Sequence, residues 1–155
     1  MTKQNTAAFT LVEIMVVVAI VGILTGMAIA GFRTARRTAF LHRVRADLRV
    51  ISGAIEQLAF DTNQWPGGVP AGETSNPEVW DLNSPAAGLS SSDGRFTNWH
   101  GPYMKNVPRD PWGQPYFFDP DYTVNNQTKA AVGSFGPNRA GRNQYDADNI
   151  YEIME

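Results

Sequence analysis

The chain has 155 residues, 43% hydrophobic and 18% charged, with a formal net charge of −2. That length suits one domain, and that balance excludes a disordered chain, a collagen and a polytopic membrane protein. With no Cys in the sequence, a disulfide framework, a thiolate metal site and a Cys nucleophile are excluded as well. The average hides a gradient along the chain. Six Arg fall between Arg33 and Arg49, whereas residues 61–155 hold six basic against twelve acidic side chains.

Residues 1–8, MTKQNTAA, are polar and carry one Lys. Phe9 to Phe32 follows as 24 residues with Glu13 as the single charge. A helix rises about 1.5 Å per residue, so this stretch is long enough to cross the hydrocarbon of a bilayer. A secretory signal peptide is the alternative, because Lys3 gives a basic start and Ala28-Ile29-Ala30 is a small-x-small cleavage site. Against it, the apolar run exceeds the usual length of about 7–15 residues and helical periodicity continues past the cut. A carboxylate near mid-bilayer costs about 2.5–3.5 kcal/mol. Glu13, near one end of the segment, therefore calls for a cationic partner or for the favourable field of a helix start.

Leu41, Val44, Leu48, Ile51, Ile55 and Leu58 recur at helical spacing and form the apolar stripe of an amphipathic helix. No Pro interrupts Phe9 to Phe60. The pattern predicts one helix of roughly fifty residues, its second half packed on the body. Arg33, Arg36 and Arg37 follow the span at once and suit anionic headgroups, with Arg43, Arg45 and Arg49 extending the basic face. Phe40 is the single aromatic among them, so a nucleic-acid interface is not expected. Counting positive charges alone would place the body in the cytoplasm.

Asp61-Thr62-Asn63-Gln64-Trp65-Pro66-Gly67 ends the helix with turn formers and a Pro. Residues 67–100 read as a long loop with one short helix near Pro77–Leu82. Three strand candidates follow, Tyr116–Asp119, Ala130–Phe135 and Asn149–Ile153, separated by turn-rich segments. The predicted class is α+β, a small antiparallel sheet laid on the second half of the helix. Trp65, Trp80, Trp99 and Trp112 are expected to pack rather than to stack on sugars. His42 and His100 are isolated, and neither H-E-x-x-H nor a phosphate loop occurs. No catalytic site is expected.

Ala8-Phe9-Thr10-Leu11-Val12-Glu13-Ile14-Met15 resembles the leader junction of type IV prepilins and pseudopilins. The resemblance implies the pilin fold and removal of residues 1–8 by a prepilin peptidase, with cleavage between Ala8 and Phe9 and methylation of the new Phe9 amine. The family normally carries Gly where Ala8 stands. A freed Phe9 amine would be cationic and four residues from Glu13, on the same helical face. Pairing with its own amine in the membrane, and with a neighbour's in a filament, would give Glu13 its partner and make Phe9 and Glu13 the assembly residues. The resemblance also implies the division 1–8 leader, 9–32 membrane-spanning and filament-core half of the helix, and 33–155 body. It places the body in the periplasm, against the charge count, with a single pass through the inner membrane.

The segment Gly101 to Tyr116, in which Asp110-Pro111 and Trp112-Gly113 set tight turns, is similar to a block of the major pseudopilins of type II secretion systems. That similarity implies a helical homopolymer, with minor pseudopilins, an inner-membrane assembly platform, an assembly ATPase and membrane lipid as partners. In the same family the loop matching Ser134 to Asp148 binds calcium. Carried over, the ligands would be the side chains of Asn138, Asp146 and Asp148 and the carbonyls of Phe135, Ala140 and Asn143. Asn138 replaces the family's Asp, and Arg139 and Arg142 add positive charge. The alternative is that the two Asp residues pair with those Arg residues or face water. A type IV pilus subunit is the second reading of the whole chain, and a secreted binding domain behind a signal peptide the third.

Overall fold

The structure, a computed structural model, describes residues 9–75 and 77–154, with Ala30 described by its backbone alone. The expected leader, residues 1–8, and with it Ala8, lies outside the described residues. A 52-residue helix, α1 (Leu11–Thr62), comes first, as the uninterrupted periodicity predicts. The described residues fall into two compact units, one up to Ala39 and one from Phe40 onward.

In the first unit the apolar side chains of α1 have no protein cover. Phe9, Leu11, Val12, Ile14, Met15, Val21, Leu24, Met27 and Phe32 are all more than half exposed. Water does not favour such a surface, and an all-round apolar helix belongs in lipid or in the core of an assembly. The Thr25 hydroxyl donates to the Val21 carbonyl at 2.7 Å, so this polar group is satisfied within the helix.

In the second unit the predicted stripe is the core. Val44, Leu48, Ile51, Ile55 and Leu58 are at most 1% exposed, and Leu41, at its upper edge, is half-buried. They pack with Met154, just past the last strand, and with Phe118, Ala130 and Val132 from an antiparallel sheet of β3 (Phe117–Val124), β4 (Gln127–Ser134) and β5 (Ile150–Ile153), in that order. Side chains alternate across a strand. Phe118 and Val132, paired in register, therefore face the helix, while Phe117, Ala131 and Phe135 form a second cluster with Tyr122, Trp80 and Ile153. A two-residue ladder, β1 (Gln64–Trp65) with β2 (Val69–Pro70), folds the chain back after the helix.

Two strands are longer than their sequence signals. Asp119-Pro120-Asp121 reads as a turn, but the register shifts between Asp119 and Tyr122, and this bulge lets β3 continue past a residue that has no N–H to offer. Asn125 and Asn126 both take positive φ, 49° and 63°, between the paired Val124 and Gln127. That two-residue turn suits the twist of a hairpin, and Asn is among the few residues that tolerate it. The helix expected near Pro77–Leu82 does not form. Val79 instead bridges Phe118, exchanging backbone hydrogen bonds of 2.8 Å, and Leu82 N–H donates to the Tyr116 carbonyl, so this segment lies beside the sheet edge. A single 3-10 turn, Pro85–Ala87, occurs just beyond it.

Candidate functional site

The start of α1 is built by Thr10 and Glu13. Thr10 N–H and its hydroxyl both donate to Glu13 Oε2, at 2.9 and 2.8 Å, and Glu13 N–H donates back to Thr10 Oγ1 at 3.3 Å. This is a reciprocal capping box, which satisfies donors that a helix start otherwise leaves open. The signature Thr-x-x-Glu stands in the sequence at Thr10-Leu11-Val12-Glu13 and adds Thr10 to the functional residues at the helix start. In the uncleaved chain, then, the Glu13 carboxylate is held by its own helix start. Phe9 lies 80% exposed immediately before the cap. Arg33, Arg36 and Arg37 are exposed beyond the apolar stretch.

The turn at Asp110-Pro111-Trp112-Gly113 joins the body together. Asp110, 4% exposed, accepts Trp112 N–H and Gln114 N–H on Oδ1 at 3.0 and 2.8 Å, and the Ser134 hydroxyl on Oδ2 at 2.6 Å. Ser134 Oγ in turn accepts Gly136 N–H at 3.1 Å, so one buried carboxylate links this turn to the end of β4 and the start of the last loop. The Trp112 ring meets Phe40 of the helix edge-on at 5.9 Å and forms an apolar plug between turn and helix. Tyr116, fully buried, donates its hydroxyl to Asp47 of α1 at 2.8 Å, and burial followed by that carboxylate pushes the phenol well above its usual range. Trp65 packs on Phe118, Trp80 on Phe117 and Phe135, and Trp99 on Tyr103.

The carboxy-terminal loop brings several of the expected calcium residues together. Asn138 Nδ2 donates to Asp146 Oδ2 at 2.7 Å, and Asn138 Oδ1 accepts Ala140 N–H at 2.9 Å. Asp146 Oδ1 accepts the N–H groups of Asp148 and Asn149 at 3.0 and 3.2 Å. Arg142 lies over the Trp80 ring at 5.8 Å. Gly136 has a φ of +72°, and a Cβ there would collide with the Asp148 carbonyl, so only glycine lets the two ends of the loop close. Asn149 Oδ1 is buried without a partner. As arranged, the side chains do not fit a calcium ion: the group that Asn138 turns toward Asp146 is an NH2, which cannot ligate a cation, and no three His, Cys, Asp or Glu side chains converge among the described residues.

Beside this loop, at the β3 bulge, Asp119 is 1% exposed. Its Oδ1 accepts Asp121 N–H at 3.0 Å, while Asp119 Oδ2 and Asp121 Oδ1 are buried acceptors with no donor between them. Burial first, and the neighbouring Asp121 second, push the Asp119 carboxyl up to about 7. The retained proton is the donor that the two orphan oxygens lack.

Sequence comparison agrees with both halves of the chain. The family profile described as a prokaryotic N-terminal methylation motif matches residues 3–29, and that of type II secretion system (T2SS) protein G matches residues 82–152. The type II secretion system core protein G of Klebsiella michiganensis is 30% identical over 119 residues, covering 75% of each chain. The chain belongs to the type II secretion system protein G family. Its similarity to the protein G of Pseudomonas aeruginosa, 27% identical, extends over 96% of this chain and 98% of that one, and that of Aeromonas hydrophila is 29% identical over 116 residues, 75% and 74% of the two chains. The fold of this chain is also that of the major pseudopilin in a crystal structure from the type 2 secretion system of enterohaemorrhagic Escherichia coli, with a TM-score of 0.55 at 19% identity over 76% of this chain and 86% of that one.

Proposed function

We propose that this protein is the repeating subunit of a periplasmic pseudopilus, the filament of a type II secretion system that exports proteins across the outer membrane. In this reading the subunit waits in the inner membrane with the apolar half of α1 in lipid and its body in the periplasm. A prepilin peptidase removes residues 1–8 between Ala8 and Phe9 and methylates the Phe9 amine. An assembly ATPase and membrane platform then draw subunits, together with minor pseudopilins, into a helical polymer. Head-to-tail contacts of one kind, repeated without closing, generate such a fibre.

The observation that carries this reading is the bare apolar surface of α1 between Leu11 and Phe32, opened by a capped carboxylate. A surface of that kind has to leave water twice, first into lipid and then into a filament core. Processing exchanges the surroundings of Glu13: the cut falls directly before Phe9, puts an ammonium next to Thr10, and offers the carboxylate a cation from its own or a neighbouring subunit. The test is the intact mass of the protein from membranes of a cell with the matching peptidase. A chain starting at Phe9 with one added methyl group is expected. A chain that keeps residues 1–8, or one that starts at Gly31, overturns the reading.

A further inference from the structure

The last loop, between β4 and β5, holds its own ends together. Asn138 has one oxygen and one NH2 group, and the structure commits each. The oxygen accepts Ala140 N–H at 2.9 Å, which fixes the orientation of the amide, and the NH2 group is left to donate to Asp146 Oδ2 at 2.7 Å. The other Asp146 oxygen is shared by the N–H groups of Asp148 and Asn149. Thus the side chain that would anchor a cation from one side of the loop presents donors, and the one facing it has both oxygens engaged by donors of the protein. Calcium takes six to eight oxygens, from carboxylates, carbonyls and water, and an NH2 group cannot be one of its ligands.

We infer that the Asn138–Asp146 hydrogen bond does in this chain what a bridging divalent cation would do, so that the carboxy-terminal loop closes with no metal. The physical reason lies in one exchange of atoms. With a carboxylate at position 138, its second oxygen would face Asp146 Oδ2 across the same gap, and two like charges at that separation repel unless a cation or a proton lies between them. With an amide there, the same gap holds a charge-assisted hydrogen bond. Further contacts act in the same direction. Asn149 Nδ2 donates to the Gln144 carbonyl and to the Tyr122 hydroxyl, both at 3.1 Å, tying the loop to β3. Arg142, over Trp80, already brings positive charge to the loop. One buried amide oxygen, that of Asn149, remains without a partner, and a single neutral oxygen does not make a calcium site.

The experiment is thermal unfolding of the full chain in detergent micelles, followed by Trp fluorescence, in a chelator and in millimolar calcium, for the wild type and for N138D. The wild type is expected to melt at the same temperature in both. N138D is expected to melt lower in chelator, by roughly 4 °C or more, and to recover in calcium. A wild-type midpoint that falls in chelator overturns the inference, and so does an N138D protein as indifferent to calcium as the wild type and equally stable. Should N138D not accumulate, N138A serves: a lower midpoint that calcium does not restore supports the self-closed loop, and a midpoint equal to the wild type, or one restored by calcium, contradicts it.

Discussion

Asp119 and Asp121 occupy one bulge, and their two orphan oxygens make the body sensitive to pH. In the folded chain the Asp119 carboxyl holds its proton up to about 7, whereas in the unfolded chain it releases it near the ordinary carboxyl value of 3.8. Between those values the folded state binds the extra proton, so this pair's stabilisation is complete below about 3.8 and is lost as pH rises toward 7. Asp119→Asn supplies a permanent donor to Asp121 while keeping an oxygen for Asp121 N–H. The variant is expected to be more stable than the wild type at pH 8 by about 1–3 kcal/mol, with the difference vanishing near pH 4. Denaturant midpoints of both proteins across that range check it, and an equal pH dependence in the two would contradict the shared proton. None of this was legible in the sequence, where Asp-Pro-Asp looks like a solvated turn; burial at 1% exposure comes from the sheet that forms around it. Glu13 was legible as an anomaly, and Thr10 three residues before it carried the readable signature of a neutral partner.

At the scale of elements, α1 was the clearest signal, because an apolar stripe at helical spacing is decided locally and five of its six members are fully buried. The strands were legible in place and not in length. β3 outlasts its signal because a bulge absorbs Pro120, and β4 starts earlier because two Asn residues take the left-handed conformation of a hairpin turn. Pro77–Leu82 carried a helical pattern that lost to pairing with the sheet edge through Val79. The basic segment after the span poses the sharper question for function. Six Arg between Arg33 and Arg49 against one Lys before the span favour a cytoplasmic body by charge counting, and assembly in a pseudopilus requires a periplasmic one. With the peptidase and platform present, a periplasm-dependent reporter fused after residue 154 is expected to be active, and external protease is expected to digest the body in spheroplasts. A protected body with an inactive reporter would reverse the orientation.

As a whole molecule, the proposed pseudopilus subunit uses one helix both in lipid and in a filament, with the carboxylate at its start common to both. Removing one member of a buried ion pair costs about 3–5 kcal/mol, enough to decide whether a subunit enters a growing polymer. The capping box in the uncleaved chain offers a competing explanation of why an acid stands at position 13, and a single variant separates the two. Glu13→Gln keeps a side chain that closes a capping box and removes only the charge. The decisive measurement is the yield of sheared pseudopili from cells overproducing this variant beside the wild type, with membrane levels and processing matched by immunoblot and intact mass. The charge-pairing account expects a processed, membrane-inserted E13Q subunit whose filament yield falls at least about tenfold; E13Q filaments at the wild-type yield would contradict it.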